Sequence, residues 1–76
     1  MLTPAQIKMA RAGLGISVRE LAERSGVADS TILRFESGRG SILASNLARI
    51  QTALEAAGIT FIAADAAGGP GVRLAN

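Results

Sequence analysis

Seventy-six residues and 7.7 kDa leave room for one small domain, which buries only about 60% of the surface its unfolded chain exposes. With no cysteine and no histidine, disulfides, thiolate zinc sites and Ser-His or Cys-His nucleophilic machinery are excluded, and self-association remains as the route to extra stability. Eight basic residues against six acidic ones leave a net charge of +2, compatible with a nucleic-acid partner without requiring one.

The hydrophobic share is 49%, yet Phe35 and Phe61 are the only aromatic residues. Such a chain builds a core of Ala, Leu and Ile and is not a disordered one. No apolar run reaches the roughly 18 residues of a membrane helix, and no basic-then-apolar signal peptide opens the chain. A cytoplasmic protein without membrane contact is expected. The few acids share no cleft that chemistry could use, so neither an enzyme nor a cofactor or metal is expected.

Thr3-Pro4-Ala5-Gln6 opens the first helix. Thr3 caps, Pro4 sits where its missing N–H costs nothing, and Gln6 completes a capping box. Ile7, Ala10 and Leu14 lie on the inner face, Gly13 and Gly15 bracket the stop, and the helix runs over about 4–12. Ser17-Val18-Arg19-Glu20 forms a second capping box for a helix over 17–25, with Val18, Leu21 and Ala22 inward and Gly26 as its stop. A third helix over 28–37 turns Ile32 and Phe35 inward and closes at Ser37-Gly38. After a loop, Ser45 caps a fourth helix over 45–57, whose Leu47, Ile50, Leu54 and Ala57 form a core stripe. Gly58 stops it.

The remainder changes character. Ile59 to Ala64 is β-branched and aromatic and reads as a strand. Ala66-Ala67-Gly68-Gly69-Pro70-Gly71 is a turn, and Val72-Arg73-Leu74 is a second short strand. The expected fold is therefore mainly α, with four helices in a domain over 1–57 and a short β-hairpin segment over 58–76. An isolated hairpin is marginal in water and exposes unpaired edges. Pairing with a twin removes both problems. Ile59, Phe61, Ile62, Val72 and Leu74 are accordingly assigned to a dimer interface; the alternative is that the hairpin folds back on its own domain.

Leu21-Ala22, Gly26-Val27, Ile32 and Glu36-Ser37-Gly38 together describe a tight corner between two helices. Ala22 is small because the next helix crosses over it, Gly26 turns the chain, and Val27 and Ile32 plug the angle. That is helix-turn-helix geometry, which presents its second helix to the major groove. Over residues 3–57 the chain resembles the Cro/repressor-type (XRE-family) helix-turn-helix proteins. The pattern runs through Ser17-Val18-Arg19-Glu20-Leu21-Ala22-Glu23-Arg24-Ser25-Gly26-Val27 and Thr31-Ile32-Leu33-Arg34-Phe35-Glu36-Ser37-Gly38.

The resemblance implies that helix 28–37 is the recognition helix and that the ligand is double-stranded DNA. The base-contact set it implies is Asp29, Ser30, Thr31, Leu33 and Arg34. Arg34 is the strongest member, because a guanidinium grips guanine O6 and N7 together; Leu33 can meet a thymine methyl. Phosphate contacts fall to Ser17, Arg19, Ser37, Arg39 and Ser41, and supply most of the affinity. Arg11 and Glu36 match a family pair that bridges the first helix to the end of the recognition helix, a structural role. Two positions depart from the family pattern. Val18 replaces a glutamine that reaches phosphate, and is assigned to the core. Ala28 replaces a Ser or Thr cap, which leaves Asp29 to cap.

The expected function is a sequence-specific transcriptional regulator, most simply a repressor that binds an inverted-repeat operator as a homodimer. Its alternative is an interaction or antitoxin-like module on the same fold, with polymerase or a toxin as the protein partner. Val18, Asp29 and the low net charge favour that alternative, whereas Arg19, Arg34 and Arg39 oppose it.

Overall fold

The computed structural model describes residues 2–75, so Met1 and Asn76 of the expected spans lie outside the described residues. Four helices are followed by an antiparallel pair of strands: α1 (Pro4–Leu14), α2 (Val18–Ser25), α3 (Asp29–Glu36), α4 (Ala44–Ala56), β1 (Ile59–Ile62) and β2 (Gly71–Leu74). α1 starts on the complete capping box of Thr3 and Gln6. It runs through Gly13 and stops at Gly15, in the left-handed region at φ 69°. Gly13 has a different use: a Cβ there would stand 3.1 Å from Leu74 Cδ2, so the bare backbone admits the second strand.

Three of the expected caps come out differently. Ser17 accepts from the Glu20 amide, but the Glu20 carboxylate does not reach back, because it accepts two hydrogen bonds from Arg24 one turn on. Asp29 does not cap α3, and Ser45 does not cap α4. Each already lies inside its helix, and the cap positions are held by Ala28 (φ −58°, ψ 139°) and Leu43 (φ −61°, ψ 138°), which carry no side-chain acceptor. A cap residue must itself be extended to aim an oxygen at the first-turn amides.

Leu2, Ile7, Ala10, Leu21, Val27, Ile32, Leu47, Ile50, Leu54 and Ile59 form one buried cluster, with Val18, Ala22, Phe35, Phe61 and Val72 packed around it. The corner between α2 and α3 follows the sequence pattern: Gly26 takes φ 74°, and Val27 and Ile32 are buried. α1 packs on α3 and β2, α2 on α3 and α4, and α4 on β1. One polar clamp sets the orientation of α3. Arg11 donates from Nε and Nη2 to the two carboxylate oxygens of Glu36, both at 2.7 Å, and from Nη1 to the Ile16 carbonyl at 3.1 Å. Glu36 is buried. Its hydrogen bonds hold the Arg11 guanidinium above its ordinary pKa, against the partial burial that pulls it down.

The hairpin pairs Ile59 with Leu74, Thr60 with Arg73, Phe61 with Val72 and Ile62 with Gly71. Here the assignment of Ile59 to a dimer interface is corrected: Ile59 is 3% exposed inside its own domain's core. The hairpin folds back, with β2 against α1 and β1 against α4. The clasp is Gln6, a buried residue whose Nε2 donates to the carbonyls of Ile62 (3.2 Å) and Gly71 (3.1 Å) while its Oε1 accepts from the Thr3 amide (2.9 Å). Beyond the clasp, Asp65 orders the tip. Its Oδ1 accepts from the amides of Ala67 and Gly68, and its own amide donates to the Gly68 carbonyl.

Two outcomes are expected in urea unfolding. Glu36→Ala strands a partly buried guanidinium and costs about 3 kcal/mol, whereas the paired change Arg11→Met with Glu36→Leu regains most of that loss. Gln6→Ala leaves two strand carbonyls without their donor and costs about 2 kcal/mol, with faster hydrogen exchange at the amides of β1 and β2 than at those of α2 and α3.

Candidate nucleic-acid interface

α3 shows the molecule two different sides. Ile32 and Glu36 are buried toward the body, with Thr31 and Phe35 half-buried beside them, while Asp29, Ser30, Leu33, Arg34 and Ser37 are exposed. Thr31 is thus the member of the expected base-contact set that lies at the helix flank, one turn before Phe35, and the other four share the outward face. Helical spacing explains this, since 29, 30, 33, 34 and 37 fall along one stripe.

Two groups of the expected site residues come together. At the start of α3, the residues Ser17, Val18, Arg19, Asp29, Ser30 and Leu33 line an open cleft of about 450 Å³ between the first turns of α2 and α3. Ser17 uses an oxygen lone pair on the Glu20 amide, so its hydroxyl hydrogen stays free to donate to a phosphate. At the other end, Arg34 lies over the loop that leaves α3. A Cβ on Gly40 would stand 3.9 Å from Arg34 Cδ, and Gly40 takes φ 154°. The backbone of that loop also turns back, the Arg39 amide donating to the Arg34 carbonyl at 3.1 Å. Ser37 donates its hydroxyl to the same carbonyl at 2.9 Å. That proton is therefore already committed, and Ser37 must break this bond before it can donate to a phosphate. Ser41 is exposed in the loop before α4.

The arginines on this surface form no ion pair. Among the described residues, the ion pairs are Arg11 with Glu36 and Arg24 with Glu20, so Arg19, Arg34 and Arg39 carry no carboxylate partner. Asp29 is the one acid in the outward stripe of α3. Among the described residues no group of three Asp or Glu could hold a metal ion, and no helix is long and apolar enough to cross a membrane. The remaining residues assigned to a dimer interface, Phe61, Ile62, Val72 and Leu74, stay partly or fully exposed on a hairpin that packs on α1 and α4.

Two contributors to this surface escape a reading of residue types. Gly40 leaves room beside the Arg34 stem, and its only signal is the Gly-Arg-Gly run. Val18 belongs both to the packed surround of the core and to the wall of the cleft, which an apolar residue at an inward helical position does not announce.

No curated protein matches the chain. A helix-turn-helix family model matches residues 7–60, more than two thirds of the sequence. The matched span takes in the α2–α3 corner, the Arg11–Glu36 clamp and the outward stripe of α3. The chain belongs to the XRE-type helix-turn-helix family of DNA-binding transcription regulators.

Proposed function

We propose that this protein is a sequence-specific repressor that places α3 in the major groove of an inverted-repeat operator and acts by occupying it. The observation that carries this reading is the set of unpaired arginines, Arg19, Arg34 and Arg39, around the exposed stripe of a helix whose opposite side is locked to the body. Arg34 reads guanine, Asp29 and Ser30 take the neighbouring base edges, and Leu33 meets an apolar group there. Asp29 cannot serve phosphate. As an acceptor it suits the N4 amino group of cytosine, so its charge adds selectivity where it costs affinity. Ser17, Arg19, Arg39 and Ser41 hold the backbone, with Ser37 joining them only after its hydroxyl turns. Arg11 and Glu36 act through the pose of α3 and touch no DNA.

A homodimer fits the same reading. A two-fold pair sets two copies of α3 about 34 Å apart, one turn of the duplex. The surface proposed to join the copies is the outer part of the hairpin, where Phe61, Ile62, Val72 and Leu74 keep apolar exposure after folding back, Leu74 at 43%. Two short strands have open outer edges, which a second copy can complete.

Selection from random duplexes at fixed salt, followed by sequencing, tests the whole. The wild type is expected to recover an inverted repeat. Arg34→Ala is expected to lose about 1–3 kcal/mol on that sequence and to relax one position per half-site. Arg39→Ala is expected to weaken all sequences alike and to lower the salt slope by about 1. Enrichment of no motif by the wild type would count against a specific regulator and for a protein partner. Sedimentation equilibrium of Leu74→Arg is expected to show monomers where the wild type shows dimers.

A further inference from the structure

α4 packs on α2 and on β1, and a further side of it is left over. Ala44, Ala48, Thr52 and Ala56 recur at every fourth position and are all exposed, so one ridge of the helix carries nothing larger than a threonine. Two charges flank that ridge, and both are exposed. Among the described residues Arg49 forms no ion pair, and Glu55 accepts one hydrogen bond, from the neutral amide of Gln51 at 3.3 Å. Arg49 stands with Ala48, Thr52 and Ala56 on one bank of an open groove of about 430 Å³, opposite Arg24 and Ser25 of α2.

The order of these residues has two-fold symmetry. Arg49 and Glu55 each lie three residues from Thr52, one before it and one after. In an α-helix that sets them about 4.5 Å from Thr52 in opposite directions along the axis, and about 60° around the helix on opposite flanks. A half-turn about the line that leaves α4 at Thr52 exchanges these two positions, and it exchanges Ala48 with Ala56. A second α4 laid antiparallel on the first therefore sets Ala48 against Ala56 and Thr52 against its own copy. Each Arg49 then faces the Glu55 of the other chain.

We propose that this face of α4 binds a second copy of the chain, as an antiparallel helix pair closed by two Arg49–Glu55 ion pairs. The signs of the charges choose the occupant. A uniformly acidic helix would satisfy Arg49 and meet Glu55 with like charge, whereas the same face turned over satisfies both. The small ridge lets the helices approach to about 8 Å, the close end of helix packing, which brings the flanking side chains together. Across the groove, Arg24 adds a second cation beside the incoming carboxylate, since its own pairing with Glu20 is exposed and weak.

A single helix pair without large apolar residues is a small interface and belongs with transient contacts. It goes beyond the DNA-binding reading and uses none of the hairpin residues proposed to join the dimer. A copy that engages both surfaces links one dimer to the next. Such a contact acts where copies are already gathered, as on a duplex with neighbouring operators, because tethering replaces a bimolecular step.

Sedimentation equilibrium without DNA, carried to millimolar chain, tests the contact. The wild type is expected to associate one step beyond the assembly that the hairpin forms. If the hairpin forms none, the step reads as monomer to dimer, so the two surfaces are scored separately. Arg49→Glu and Glu55→Arg, each alone, put like charges at both ends of the pair and are expected to weaken that step about tenfold. Both positions are exposed, so each variant is expected to keep the helical circular dichroism of the wild type. An equal mixture of the two variants restores opposite charges across every mixed contact, and is expected to recover the step at wild-type strength. A wild type that stops at the hairpin assembly, single reversals that associate as the wild type does, or a mixture no stronger than its parts each overturns the α4 contact. Operator binding is decided separately, by the selection experiment.

Discussion

A single guanidinium holds three separate stretches of this chain in place. From its position on α1, Arg11 reaches the Glu36 carboxylate at the end of α3 and the Ile16 carbonyl in the connection to α2. Each of its three nitrogens therefore donates to another stretch of the chain. The clamp works because it is neither fully wet nor fully dry. Glu36 is shielded, its side chain 3% exposed, while Arg11 keeps 22% of its own surface, which limits the desolvation that makes buried ion pairs costly. The tilt of α3 depends on it. The Val27 and Ile32 plugs set how close the helices lie, but apolar contacts have no direction and would allow α3 to roll.

That division of labour explains how a protein of net charge +2 can present three arginines without carboxylate partners around one helix. Four of the six acids are used elsewhere, Glu36 under Arg11, Glu20 beneath Arg24, Asp65 in the hairpin tip and Glu55 with Gln51, and Asp29 alone stands in the outward stripe of α3. The arginines along α3 and the loop after it keep their charge for a ligand. Total charge averages over these roles and so says little about the local field, which is what a polyanion meets.

Much of this was legible from residue order because it rests on local chemistry. Glycine at positions of positive φ, a Thr-x-x-Gln box and apolar spacing each act within one or two turns, and α1, α2 and the corner between α2 and α3 follow from them. The starts of α3 and α4 were misplaced for the opposite reason. Polar Asp29 and Ser45 look like caps, yet the cap positions fall one residue earlier at Ala28 and two residues earlier at Leu43, which leaves each polar residue inside its helix. The hairpin's fold-back was legible only as an alternative. What decides it is Gln6, more than fifty residues away in sequence, and nothing about a glutamine in a capping box announces a second job. The site follows the same division. Helical spacing alone places Asp29, Ser30, Leu33 and Arg34 outward, whereas the committed hydroxyl of Ser37 and the double role of Val18 appear only once neighbouring segments are in position.

The Gln6 clasp divides the hairpin into a base held to the body and a tip closed by its own hydrogen bonds. Its two bonds fall on Ile62 and Gly71, the last rung of β1 and β2, and every residue from 63 to 70 beyond it is exposed. Changes of length in that tip are insulated from the strand register and from α3 alike. The tip is thus a natural grafting point, where evolution or an engineer can splice in a peptide, or a whole ligand-sensing module, without disturbing the reading head.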